Sequence, residues 1–179
     1  IFSVPGRSEI IGNHTDHNRG CVVAASISLD IIAVASPTSD GIIRVKSEGF
    51  GEDVVYINEY TNPVEEKFGT SESIIAGMCA GFTMNGHKTG GFDAYTTSDI
   101  LKGSGLSSSA AFEVMIGNIE NHLYNGGRVE NAEIAKIAQY AENEFFGKPC
   151  GLMDQMACAV GGIIAIDFAD NANPVIEKQ

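Results

Sequence analysis

The chain has 179 residues, 44% of them hydrophobic and 19% charged, with a formal net charge of −12, which suffices for one real core in a globular protein. So acidic a surface argues against nucleic acid or an anionic membrane as a partner, whereas a local nest of amides with a metal ion still admits a bound nucleotide. There is no run of eighteen apolar residues, and Cys21, Cys79, Cys150 and Cys158 are scattered without a C-x-x-C pair, as expected of free thiols in a reducing cytoplasm.

The chain opens in what reads as a strand. Pro5 to Gly20, PGRSEIIGNHTDHNRG, then reads as a loop rich in turn formers that gathers Arg7, Glu9, Asn13, His14, Asp16, His17, Asn18 and Arg19. That density of short donors and acceptors suits a polyhydroxylated ligand. Polar turn residues serving their own backbone, or a His14/His17 metal pair, are the other readings of the same segment. Cys21 to Lys46 is rich in Val, Ile, Ala and Ser and breaks at Ser39-Asp40-Gly41, which predicts a hairpin. Val54 to Ile57 reads as a further strand, Asn62 to Lys67 as a surface loop and Thr70 to Gly86 as a helix. Phe92 to Thr97 alternates as a half-buried strand does.

The next segment, Leu101 to Ala111, is LKGSGLSSSAA. Glycines at 103 and 105 let backbone amides approach an anion, and the helix that follows, with Phe112, Met115, Ile116, Ile119 and Leu123 on one face, points its positive end there. The segment lacks the Lys of a P-loop and the G-x-G-x-x-G dinucleotide fingerprint, so a phosphate site of another kind is implied. A flexible linker of the same composition is the competing reading.

Val129 to Phe146 places Ile134, Ile137, Ala138, Ala141 and Phe145 at helical spacing, with Glu142 at the edge of that face, either solvated or able to reach a metal. After Gly147-Lys148-Pro149, a short helix is expected within Gly151 to Val160, and Ile163 to Phe168 closes as a strand. Asp154, near the start of that short helix, is either a cap or a carboxylate held ionised and ready to accept a proton. The order predicts an α+β fold, a mixed sheet with helices on one side.

Three stretches together resemble the galactokinases of the GHMP small-molecule kinase superfamily. PGRSEIIGNHTDHNRG is similar to the galactokinase signature, KGSGLSSSAA to the superfamily phosphate loop, and AENEFFGKPCGLMDQ to the segment that carries the catalytic aspartate. The resemblance implies transfer of the γ-phosphoryl group of ATP to the C1 hydroxyl of galactose, with Mg2+. By matching positions it makes Asp154 the catalytic carboxylate and Arg7 its partner. Gly103, Ser104, Gly105, Leu106, Ser107, Ser108 and Ser109 would line the phosphates, with Ser109 and Glu142 as magnesium ligands. Asn13, His14, Asp16 and Gly151, with Asp154, would bind the sugar. Asn13 stands where galactokinases commonly have Glu, and His17 where they have Tyr, which leaves the exact hexose open. A GHMP kinase for N-acetylgalactosamine or arabinose, or a non-catalytic sugar sensor, are the rival readings. The chain is expected to be the N-terminal domain of a longer protein whose C-terminal domain is absent here, and nearly inactive alone, because an open cleft leaves its substrates solvated.

Overall fold

The computed structural model describes residues 1–101 and 103–179; Lys102, inside the predicted phosphate loop, lies outside the described residues. Among the described residues seven strands form one sheet: β1 (Phe2–Ile11), β2 (Cys21–Pro37), β3 (Ile42–Ser47), β4 (Glu52–Tyr56), β5 (Phe92–Ser98), β6 (Ile163–Asp167) and β7 (Val175–Lys178). Helices α1 (Ser71–Met84), α2 (Ser108–Tyr124) and α4 (Met153–Val160) among the described residues pack against it, and α3 (Asn131–Tyr140) packs on those three helices. The predicted α+β architecture is the one observed.

Strand β2 is the spine. Its 17 residues pair antiparallel with β1 along one edge, and with β5 and then β6 along successive lengths of the other. Strand β3 lies parallel to β5, beyond it, and antiparallel to β4. The predicted hairpin at Ser39 to Gly41 is therefore corrected: β2 and β3 are consecutive, but β5 is inserted between them. A local turn signal cannot reveal such an insertion, because the strand that intervenes lies some fifty residues on in the sequence. The closing strand β7, paired with β6, was not anticipated; its four residues are too short and too polar to show a pattern.

One face of the sheet is buried. Along β2, Ile31 and Ala33 are buried while Ile32 and Val34 are exposed, and along β5, Phe92, Ala94 and Thr96 face inward. The main core lies between that face and α1, α2 and α3; a smaller cluster joins α4 to Val22, Ala24, Ile164 and Ile166. Helix α1 starts where expected because Thr70 caps it, its hydroxyl accepting the Ser73 N–H at 3.2 Å. The predicted long helix from Val129 is shorter at its start and changes pitch at its end. After α3 the chain continues through a π-helical turn, Ala141–Phe145, closed by a Phe146 N–H to Ala141 C=O bond of 3.0 Å.

Strand register also positions the site. Strand β5 ends at Ser98 opposite Ile31 and β6 begins at Ile163 opposite Ala25, so the Gly/Ser segment departs beside the stretch of β2 that neither covers. Arg7 stands opposite Ser26 on β1, directly after a register shift between Pro5 and Arg7. Bulges of this kind re-aim a side chain without ending the strand.

Candidate active site

Pro5 to Ile11, read from the sequence as loop, is strand, so Arg7 and Glu9 project from a rigid element. Arg7 is buried and spends its fork on two partners. Nε and Nη2 donate to the two oxygens of Asp154 at 2.8 Å each, and Nη1 donates to the Gly105 carbonyl at 2.8 Å. The Arg7 N–H also donates to the Leu106 carbonyl at 3.2 Å. Residues 147 apart in sequence are thus locked together, with the glycine-rich segment fastened to the same guanidinium.

That segment has the predicted geometry. Gly103 and Gly105 take φ of 77° and 75°, and Ser107, at φ 60°, begins helix α2, whose first turn carries Ser108 and Ser109. The first amides of a helix have no intrahelical acceptor and carry its positive end, so the linker reading is set aside. Ser104 turns its hydroxyl back to the Leu101 carbonyl at 2.7 Å. Ser107 donates to Asp154 Oδ2 at 2.7 Å, which ties the loop to the carboxylate.

Asp154 is the second residue of α4, with its side chain 35% exposed. Burial alone would raise its carboxyl; hydrogen bonds from Arg7 and Ser107, and the charges of Arg7 and His14, outweigh that and hold it below the ordinary carboxylate value. It is an ionised acceptor at neutral pH, fixed in direction by three donors. The simple capping role fails, because the N-cap position is Leu152, the helix start has no side-chain cap hydrogen bond, and Asp154 turns its oxygens to Arg7 and Ser107.

The turn after β1 closes the other side. Asp16 is buried, its Oδ2 accepting the Met153 N–H at 3.2 Å and its Oδ1 lying 3.4 Å from His17 Nδ1. Gly151 is required at that contact, since a Cβ there would sit 1.8 Å from Asp16 Oδ2. His14 and Asn13 are exposed at the lip. His14 faces Glu9 and His17 faces Asp16, so the two imidazoles serve different carboxylates.

Glu142 departs furthest from a solvated edge residue. It is 3% exposed, and the π-turn directs it inward, where Oε2 accepts from Gln155 Nε2 at 2.8 Å and Oε1 accepts from the exposed Lys148 at 3.2 Å. The same Gln155 amide donates to Glu113 Oε2 at 3.1 Å. Glu113 and Gln155 are 0% exposed, and sequence reasoning missed both. The available signal was a Glu interrupting the apolar stripe of α2 beside Phe112. Burial first, and then the charge of Glu142, push the Glu113 carboxyl well above its ordinary value. Glu113 Oε1 and Gln155 Oε1 are buried without a hydrogen-bond partner.

These oxygens bear on magnesium. Hydroxyl and carboxylate are the hard donors that ion takes, and it needs few protein ligands. Ser109 in the first turn of α2 and Glu142 on the π-turn are compatible with it, and among the described residues no group of three or more His, Cys, Asp or Glu forms a self-sufficient metal cage. The four cysteines are free thiols, and no helix among the described residues is long and apolar enough to cross a membrane. Two concavities of the surface lie away from this constellation, one beside Arg44, Glu52, Asp93 and Tyr95, the other around Phe2, Asn118 and His122. Neither brings Arg7, Asp154 or the glycine-rich segment into its lining.

A mixed sheet with helices on one face and a glycine-serine loop at a helix N-terminus beside an Arg–Asp pair is the architecture of a small-molecule kinase domain. The family model for the GHMP kinases N terminal domain matches residues 73–162, half of the chain, and the chain belongs to that family. Within it, the galactokinase galactose-binding signature matches residues 1–37. The chain is 36% identical over 175 residues to a galactokinase of Lactobacillus helveticus, covering 95% of this chain and 44% of that protein. It is 34% identical over 160 residues to one of Clostridium tetani, covering 89% and 40%. Among solved structures, Lactococcus lactis galactokinase complexed with galactose superimposes with a TM-score of 0.86 at 28% identity, covering 99% of this chain and 46% of that one. The chain thus spans less than half the length of the relatives it matches.

Proposed function

We propose that this domain is the catalytic N-terminal part of a galactokinase, which transfers the γ-phosphoryl group of ATP to the C1 hydroxyl of galactose. The observation that carries the reading is the Arg7–Asp154 pair, standing between the glycine-serine loop and the His14/Asp16 turn and bonded to the loop from both of its members. The Lactococcus lactis relative, solved with galactose, supports the choice of sugar.

In this reading the amides and hydroxyls from Gly103 through Ser109 cradle the ATP phosphates. His14, Asp16 and Gly151, with Asn13 at the lip, receive the hexose. Asp154 accepts a hydrogen bond from the C1 hydroxyl, aims its oxygen at the γ-phosphorus and takes up its proton as the new P–O bond forms and the bond to the leaving ADP breaks. Its depressed pKa is no obstacle, because a loose phosphoryl-transfer transition state asks chiefly for positioning and charge neutralisation. Arg7 keeps that carboxylate ionised. Ser109 and Glu142 would hold magnesium, which when bound offsets phosphate charge. Since the relatives are more than twice as long, a further domain completes the cleft, and residues 1–179 alone turn over poorly.

The test is ATP consumption by the complete gene product over a panel of galactose, N-acetylgalactosamine, arabinose and glucose, repeated with Asp154→Asn. Galactose is expected to give the highest kcat/KM, and the substitution to lower kcat about a thousandfold. A galactose-dependent rate that survives Asp154→Asn would reject the assignment; hexose binding without turnover would favour a sensor.

A further inference from the structure

Strand β1 runs out through Gly12, Asn13 and His14 at φ of 132°, 54° and 51°. Two successive non-glycine residues in the left-handed region cost about 1–3 kcal/mol each and persist only where their surroundings enforce the geometry. Glu9 supplies the enforcing contact. Its Oε1 accepts the His14 backbone N–H at 2.9 Å, and its Oε2 lies 3.3 Å from His14 Nε2, so one carboxylate grips both backbone and ring of the same residue. Thr15 closes the turn by donating to the Gly12 carbonyl at 2.8 Å, but that bond leaves the imidazole unheld.

Glu9 is well placed for this. It lies two residues beyond Arg7 on the same strand, opposite Ala24, immediately before the second register shift of β1. Its side chain is 14% exposed against 58% for His14, so the sheltered strand residue holds the exposed one. The turn provides no carboxylate of its own beside His14, position 13 being asparagine. His14 is also one of the groups whose charge bears on Asp154, so fixing its ring fixes a neighbour of the reacting carboxylate.

We propose that Glu9 is a positioning residue for the sugar end of the site: from the strand it clamps His14 in its left-handed pose, so that the imidazole is presented to a hexose hydroxyl. The inference rests on the sugar-kinase reading above. Glu9 acts through His14, and its loss is felt in hexose affinity more than in the phosphoryl-transfer step.

The experiment is a double-mutant cycle, Glu9→Gln, His14→Ala and both together, on the complete gene product, with galactose Kd from calorimetry and kcat and KM from ATP consumption. Glu9→Gln keeps the shape and one acceptor but removes the charge facing the ring. It is expected to weaken galactose binding about tenfold, with a smaller change in kcat and in the KM for ATP. On the His14→Ala background the same substitution is expected to change galactose Kd less than twofold. Equal penalties on both backgrounds, or an unchanged Kd in the single variant, would overturn the proposal while leaving the kinase reading intact. If the parent binds galactose but does not consume ATP, the kinase reading falls and the Kd cycle still decides the role of Glu9. Should Glu9→Gln fail to fold, Glu9→Asp goes through the same cycle with the same two outcomes.

Discussion

Asp154 and Gln155 are consecutive residues of one helix, yet their side chains serve carboxylate centres of opposite kind. At the first, a guanidinium and a hydroxyl occupy both oxygens of Asp154, and the charge is balanced where it stands. At the second, Glu113 and Glu142 share a single amide, and two buried oxygens are left without a partner. Burying like charges together is costly, and a proton or a cation relieves it. The protein therefore closes one centre with its own side chains and leaves at the other the capacity for an added positive charge.

The largest effect should come from breaking the closed centre. Arg7→Lys keeps a cation but loses the fork that reaches Asp154 and Gly105 together. A fall in kcat of about a hundredfold is expected, with a galactose Kd within a few-fold of the parent. If kcat stays within tenfold, the fork is not what aims Asp154. Gly151→Ala attacks the same centre from behind, by driving a methyl into Asp16. Unfolding experiments should show a loss of about 1–3 kcal/mol with weakened galactose binding, and an unchanged Kd would remove Asp16 from the sugar site.

Gln155→Leu addresses the other centre. It removes the donor common to Glu113 and Glu142 and should cost about 1–3 kcal/mol in denaturant unfolding; an equally stable variant would mean that Lys148 alone suffices. The smallest effect is expected at Glu120, a buried carboxyl with neither a guanidinium nor a second carboxylate beside it. Burial pushes it up to about 8, against hydrogen bonds from the Gly90 N–H and Cys79. The folded state keeps this proton up to about pH 8 while the unfolded chain releases it near 4.5, so folding takes up a proton across that window and stability falls as pH rises through it. Glu120→Gln should therefore raise the melting temperature more at pH 8 than at pH 5. Equal shifts at both values would show that Glu120 does not titrate there.

Local signals carried far in this chain, and their limits follow from what they measure. The helical stripes of α2 and α3, the helix over Thr70 to Gly86 and the left-handed glycines at 103 and 105 are properties of short windows, and each appears in the structure, the second as Ser71–Met84. The insertion of β5 between β2 and β3 is a long-range choice that no window contains. The site divides in the same way. Arg7 and the serine loop stand out in polar or glycine-rich surroundings and Asp154 through the resemblance of its segment, whereas Glu113 and Gln155 sit within apolar helix faces where a single polar residue reads as exposure. Glu142 looked like an edge residue because a regular α-helix would leave it there, and the π-turn moves it inward.

The separation of Arg7 from Asp154 has a consequence for how the chain is made. Arg7 is synthesised before Asp154 and must wait for a partner 147 residues later. A nascent chain that has exposed β1 through α3 holds the residues of the loop and the turn and an unmatched guanidinium, but not Asp154. The Arg7–Asp154 pair thus forms only when α4 docks, and in the kinase reading competence to transfer phosphate appears with it.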